Sequence, residues 1–146
     1  MIKYQPITHN IKKLFPGLTE RLYKEDDTIF AYITGSYGRD EANPLSDIDI
    51  AIYLEDGIKE YFSRKIDLIN IITELLKTDE VDLIILNEVD SELAFNVIKS
   101  GSLFFSKDEN RRVKFETRVI REYQDFEYHR LWMIKNFFAT LKEEFK

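Results

Sequence analysis

The chain has 146 residues, 44% hydrophobic and 33% charged, and its formal net charge is −6. This length predicts one domain over residues 1–146, with a C-terminal helical segment from about 108 to 146. The absence of cysteine excludes disulfides and thiolate zinc sites, and the two histidines are too few for a histidine metal cluster.

Charge and hydropathy narrow the class of protein further. A net negative chain is a poor general partner for phosphate backbones, so we expect no direct nucleic-acid binding. No apolar run approaches the roughly 18 residues of a membrane span. The N-terminus lacks a signal-peptide core, and we therefore expect a cytoplasmic protein without a membrane partner.

The hydrophobic pattern alternates between strand-like and helix-like periods along the chain. The predicted elements, in chain order, are a short helix after Pro16-Gly17, a strand over Thr28–Thr34, a strand over Ser46–Leu54, a helix within Ile58–Lys77, a strand over Val81–Leu86, a capped helix over Ser91–Gly101, a short edge strand over Ser102–Phe105 and a helical segment over Asp108–Phe145. We predict that the last segment is one long helix, or two helices with a bend near 123–128.

The last segment is rich in aromatic residues, which are Phe115, Tyr123, Phe126, Tyr128, Trp132, Phe137, Phe138 and Phe145. Some of them are expected to pack on the sheet. One helix on a small domain must turn its outer face to water, however, and cannot bury all of them. The remainder predicts an interface, either with a partner protein or with a second copy.

A basic cluster lies in the same segment and comprises Arg111, Arg112, Lys114, Arg118 and Arg121. One interpretation is a charged helix face that is balanced by Glu109, Glu116 and Glu122. The other is a docking surface for an acidic partner or for RNA.

The most informative stretch joins the first two strands. The first strand ends at Gly35-Ser36, and after ten further residues Asp47-Ile48-Asp49 opens the second strand. Alternate residues of a strand share a face, so Asp47 and Asp49 are expected to project together, away from the core. Such a pair repels itself unless a cation lies between the carboxylates, and Mg²⁺ prefers carboxylate and phosphate oxygens.

The Gly-Ser turn adds a phosphate site to this carboxylate pair. Glycine lets the backbone approach a phosphate closely, and Ser36 with nearby N–H groups can donate hydrogen bonds to it. Each feature alone is more often a plain turn or a solvated strand face. Together and in this order they predict phosphoryl or nucleotidyl transfer.

The spacing Gly35-Ser36-x10-Asp47-x-Asp49 resembles the signature of the polymerase-beta-like nucleotidyltransferases. The fuller stretch through Gly38-Arg39 resembles the minimal nucleotidyltransferases of the MntA type, which are encoded beside HEPN-domain toxins and act as their antitoxins. The resemblance implies an α/β (α+β) fold, in which helices flank a small mixed sheet. It also implies a third metal carboxylate on a later strand, and Asp82 stands at the expected position.

The resemblance implies a role for each site residue. Gly35 and Ser36 bind the phosphates of ATP, and Arg39 neutralises phosphate charge unless it only stiffens the loop through a salt bridge. The metal ligands for Mg²⁺ are Asp47, Asp49 and Asp82, and Asp82 alternatively accepts the proton of the acceptor. Gly38 departs from the family, which often has alanine there, and we expect this glycine to loosen the turn.

The resemblance further implies the substrate, AMP being transferred from ATP to a tyrosine hydroxyl of the partner HEPN toxin. Two alternatives stay open. The chain could neutralise its partner by binding alone, or it could modify a small molecule such as an aminoglycoside. The last alternative usually needs an extra helical domain for the acceptor, and only about 60 residues follow the third strand.

Overall fold

The computed structural model describes residues 10–38 and 47–145. The elements in these two ranges are a 3-10 helix at Ile11–Leu14, α1 at Phe15–Tyr23, β1 at Thr28–Thr34, α2 at Gly35–Gly38, β2 at Ile48–Leu54, α3 at Tyr61–Leu76, β3 at Val81–Ile85, α4 at Ser91–Ser100, β4 at Ser102–Ser106 and α5 at Glu109–Glu144. The predicted mixed α/β fold is confirmed. The strands occur where the sequence predicted them, although β2 begins two residues later than expected.

The strands form a four-stranded mixed sheet in the order β3-β2-β1-β4. β1 is antiparallel to both of its neighbours, whereas β2 and β3 are parallel. All seven residues of β1 are buried, as expected of a central strand that is covered on both faces. β4 lies at the sheet edge, which confirms the edge strand that the sequence predicts.

One face of the sheet packs against α1 and α3. Alternate residues of β2, including Ile48, Ile50 and Ile52, project to this side and are fully buried. They meet Leu18 of α1 and Leu68 of α3, which are also fully buried. This layer forms the larger part of the core, and it supports β2 from behind, opposite the face that carries Asp49.

The other face of the sheet packs against α4 and the first part of α5. Phe30 and Tyr32 of β1 project to this side and share a buried cluster with Val97 of α4 and Phe115 of α5. The N-cap of helix α4 is Asp90, whose side chain accepts a hydrogen bond from the N–H of Leu93 at 2.9 Å. This acidic N-cap precedes the residue at which the sequence predicted the helix to start.

The C-terminal segment is a single helix, which confirms the first of the two predicted alternatives. Its N-cap is Asp108, whose carboxylate accepts a hydrogen bond from the N–H of Arg111 at 3.1 Å. The ring of Tyr123 stacks on Phe95 of α4, with 3.9 Å between their centroids. Every residue from Tyr128 through Thr140 is exposed, so the helix continues far beyond the body of the fold.

None of the helices in ranges 10–38 and 47–145 is both long and apolar enough to cross a membrane.

Candidate active site

The predicted carboxylates lie at one end of the sheet. Thr34, the last residue of β1, pairs with Asp49 of β2, and Asp49 pairs in turn with Asp82 of β3. In-register neighbours project to the same face, so these three residues form a row across three strands. The topology therefore brings together two acids that are separated by more than thirty positions in the sequence.

The three predicted metal carboxylates differ in their surroundings. Asp47 directly precedes β2 and is partly buried, with its Oδ1 shielded from solvent. Asp49 is partly buried within β2, and Asp82 is exposed on the edge strand β3. Between the first two, the N–H of Ile48 donates to the carbonyl of Glu80 at 3.0 Å and holds the start of β2 against the chain leading into β3.

The turn after β1 touches this carboxylate row directly. Gly35 has a φ of 63°, a left-handed conformation that strains any residue with a Cβ. A Cβ added at this position would lie 2.1 Å from Oδ2 of Asp49. Only glycine satisfies both the backbone and the carboxylate, and Ser36 follows it in the first turn of α2.

The same turn is packed tightly against the start of β4. A Cβ added at Gly38 would lie 2.5 Å from the carbonyl oxygen of Ile33 and 3.4 Å from the Cα of Gly101. The Ser102 hydroxyl donates to the Gly38 carbonyl at 2.9 Å. The expected loosening at Gly38 is therefore wrong for this chain, because the glycine permits close packing. The role of Gly101 was missed, since the sequence marks it only as the end of a helix.

Arg39, the predicted phosphate ligand, lies outside the described residues, as does the rest of the segment 39–46.

Mg²⁺ requires hard oxygen ligands in a near-octahedral arrangement. Across the residues described, no group of three or more histidine, cysteine or acidic side chains is set to hold a metal ion. Asp47, Asp49 and Asp82 therefore do not form a complete metal site by themselves. Mg²⁺ commonly takes one or two carboxylates and completes its shell with water and substrate phosphate, and the hard oxygen donors beside the Gly35 turn fit this ion.

The basic cluster of α5 lies at the opposite end of the sheet. Arg111 donates to Glu55 at 2.8 Å, and Arg112 donates to both Glu109 and Glu116. These ion pairs fit the interpretation of a balanced helix face. A cavity of about 210 Å³ on this side is lined by Tyr53, Arg111, Lys114, Phe115 and Arg118.

Comparison with known proteins identifies the class. The family model for polymerase beta nucleotidyltransferases matches residues 17–110, which is more than half of the chain. The chain therefore belongs to the polymerase beta nucleotidyltransferase family. The matched region contains the Gly35 turn and all three predicted carboxylates. None of the curated protein sequences matches the chain.

Three of the solved structures with the same fold are of toxin–antitoxin complexes. A chain of a toxin–antitoxin crystal structure with AMP-PNP is 22% identical, with a TM-score of 0.66, and the match covers 86% of this chain and 96% of that one. A chain of a structure of tri-AMPylated Shewanella oneidensis HEPN toxin in complex with MNT antitoxin is 20% identical, with a TM-score of 0.65, covering 87% and 98%. A chain of an MntA–HepT complex is 21% identical, with a TM-score of 0.63, covering 86% and 97%.

Proposed function

We propose that this chain is an antitoxin that transfers AMP from ATP to a hydroxyl, that of a tyrosine, on a partner HEPN-domain toxin and thereby inactivates it. The observation that carries the proposal is the contact between the Gly35 turn and Asp49, where a methyl group would collide with the carboxylate. The proposal assigns phosphate binding to this turn and cation binding to the neighbouring Asp49. The AMPylated HEPN toxin among the structural neighbours supports the choice of a HEPN-domain toxin as the protein that receives AMP.

The residues of the site have separate roles in the proposed transfer of AMP. The Ser36 hydroxyl and the N–H groups at the start of α2 donate to the phosphates of ATP. Asp47 and Asp49 would hold Mg²⁺, which when bound supplies positive charge to the triphosphate. Arg39 would add positive charge from the neighbouring loop.

Asp82 suits the role of base because it is exposed at the sheet edge beside Asp49, where an incoming protein hydroxyl can reach it. The acceptor oxygen forms a bond to the α-phosphorus while the bond to pyrophosphate breaks. The hydroxyl proton passes to the Asp82 carboxylate. The products are the adenylylated hydroxyl and pyrophosphate.

Neutralisation by binding alone is a second candidate, and the exposed apolar half of α5 favours it. Transfer to a small molecule has no observation in its favour among the residues described.

The test uses labelled ATP, Mg²⁺ and the HEPN-domain protein encoded beside this chain. Asp49→Asn should reduce labelling of the toxin at least about 100-fold, since metal coordination contributes several kcal/mol to such reactions. Asp79→Asn, which makes the same change at an exposed position just before β3, should label normally. Chelation with EDTA should abolish labelling by the wild type.

Labelling that persists in EDTA would overturn the requirement for Mg²⁺. Full neutralisation of the toxin by a folded Asp49→Asn variant would overturn catalysis as the mechanism and favour binding alone.

A further inference from the structure

The second half of α5 extends beyond the rest of the fold. Phe115 and Val119 are the buried residues of this helix, and Tyr123 stacks on α4. From Tyr128 through Thr140 every residue is exposed. An isolated helix of this length is only marginally stable in water, because helical stability in proteins comes mainly from packing of an apolar face.

Apolar residues recur in this segment so that they form a seam along one side of the helix. The seam comprises Leu131, Ile134, Phe138, Leu141 and Phe145. The intervals alternate between three and four residues, which is the spacing that presents one continuous face to another helix. Leu131 and Phe138 are each 58% exposed, and Phe145 is 84% exposed.

The exposed apolar area is large for a surface that faces only water. An aromatic side chain offers about 150–250 Å², so Phe138 and Phe145, which are 58% and 84% exposed, leave roughly 300 Å² of the seam uncovered. Leu131 and Ile134, which are 58% and 39% exposed, raise the uncovered area to the order of 400 Å². The seam alone thus lies in the range of the largest patch on a typical monomer, about 300–600 Å², and a patch of that size is often functional.

The charges of the segment argue against a second copy as the occupant. Between Tyr128 and Lys142 the chain carries Arg130, Lys135 and Lys142 and no acidic residue, and Glu143 and Glu144 follow only at the end of the helix. A parallel pair along the seam would set Arg130 opposite Lys135 of the other copy. An antiparallel pair would bring the lysines that flank the seam against the same lysines, and like charges at these positions oppose pairing.

We propose that residues 128–145 are a docking helix for a different protein, one that offers an apolar groove bordered by acidic side chains. The apolar seam would fill the groove, and Arg130, Lys135 and Lys142 would meet its acidic border. The proposal rests on the proposed function only in that the HEPN-domain toxin is the partner used to test it. It differs from that function in needing neither ATP nor the carboxylate row.

The experiment measures affinity of the full-length chain for the toxin by calorimetry without ATP, and measures AMP transfer separately. The double variant Leu131→Glu with Phe138→Glu should weaken binding at least 100-fold, the range of a lost hot spot. Its matched control is Asn136→Glu with Thr140→Glu, which adds the same charge on the opposite side of the helix. The control should change the affinity less than about 3-fold.

A charge reversal tests the acidic border. Lys135→Glu should weaken binding about 10-fold at low salt, and the difference should shrink at high salt because exposed charges are screened. An unchanged affinity in this variant would overturn the acidic border. Unchanged affinity in the double variant would overturn the docking helix itself. So would a wild-type chain that is a dimer by light scattering and becomes a monomer in the double variant.

The two proposals fail in different ways. Toxin that binds through the seam but receives no AMP would overturn catalysis and leave the docking helix standing. If the wild type transfers AMP and the double variant still binds the toxin with normal affinity, the docking helix is overturned and catalysis stands. A wild-type chain that does not bind the toxin would overturn both.

Discussion

At the scale of single residues, the site requires a residue without a side chain at position 35. The positive φ of Gly35 would strain a residue with a side chain, and its contact with Asp49 leaves no room for a Cβ. Gly57 offers a comparison within the same chain, because its φ is 84° and a Cβ there would meet nothing within 4 Å. A comparison of alanine substitutions at Gly35 and Gly57 therefore separates the effect of backbone strain from the effect of displacing the Asp49 carboxylate.

Gly35→Ala and Gly57→Ala should each lose about 1–2 kcal/mol of unfolding free energy from backbone strain. Only Gly35→Ala should also lose AMP transfer, at least about 10-fold, because the methyl group displaces Asp49. Urea denaturation and labelled ATP measure the two quantities. Transfer by Gly35→Ala at the wild-type rate would show that the Asp49 position is not needed for the reaction.

At the scale of elements, a partly buried hydrogen bond joins strand β1 to the last helix. The Tyr32 hydroxyl of β1 donates to the Glu116 carboxylate of α5, which also accepts from Arg112 at 2.9 Å. Burial raises the pKa of Tyr32 above its ordinary value, and the hydrogen bond to Glu116 raises it further. Burial also raises the pKa of Tyr37 and of Tyr53.

The sign of this shift predicts an alkaline loss of stability. Below about pH 10, the ordinary tyrosine pKa, Tyr32 is protonated in both states and its contribution is complete. Above it the unfolded chain releases the proton while the folded chain retains it, so the free energy of unfolding falls as pH rises. The fall should be shallower in Tyr32→Phe, which should itself cost about 1 kcal/mol at neutral pH.

Denaturation series between pH 8 and pH 11 measure this slope, with Tyr128→Phe on the exposed helix as the control. The control should keep the wild-type slope. Equal slopes in wild type and Tyr32→Phe would contradict the assignment, whereas a residual slope in Tyr32→Phe is expected from Tyr37 and Tyr53.

At the scale of the whole molecule, the body of the fold does not depend on the projecting part of α5 for its packing. The body buries the sheet between two layers of helices, and residues 128–140 bury none of it. A chain ending at Glu127 should therefore unfold with a free energy within about 1 kcal/mol of the full chain. Its denaturant m value should be nearly unchanged, because m follows the area exposed on unfolding.

A chain ending at Lys114, which lacks the buried Phe115 and Val119, is the contrasting case and should fail to fold cooperatively. A large loss of stability on truncation at Glu127 would mean that the projecting helix packs on the body after all.

The elements with a strong local period were predictable from the sequence. β1 is an apolar run, β2 alternates isoleucine with other residues, and the last segment lacks glycine and proline. Their bounds were less predictable at the termini. β2 begins at Ile48 because its first backbone bond depends on the Glu80 carbonyl, which belongs to a distant part of the chain.

The sequence by itself predicted the chemistry proposed for the candidate site, because glycine, serine and aspartate at this spacing have few common uses and all lie within one turn and one strand start. Only the tertiary structure decided that Asp82 is the neighbour of Asp49, since pairing between β2 and β3 joins residues far apart in the chain. It also decided that Gly38 and Gly101 serve close packing and that α5 is exposed from Tyr128 through Thr140. Local periodicity records which residues are apolar, but contact between distant segments determines which of them are covered.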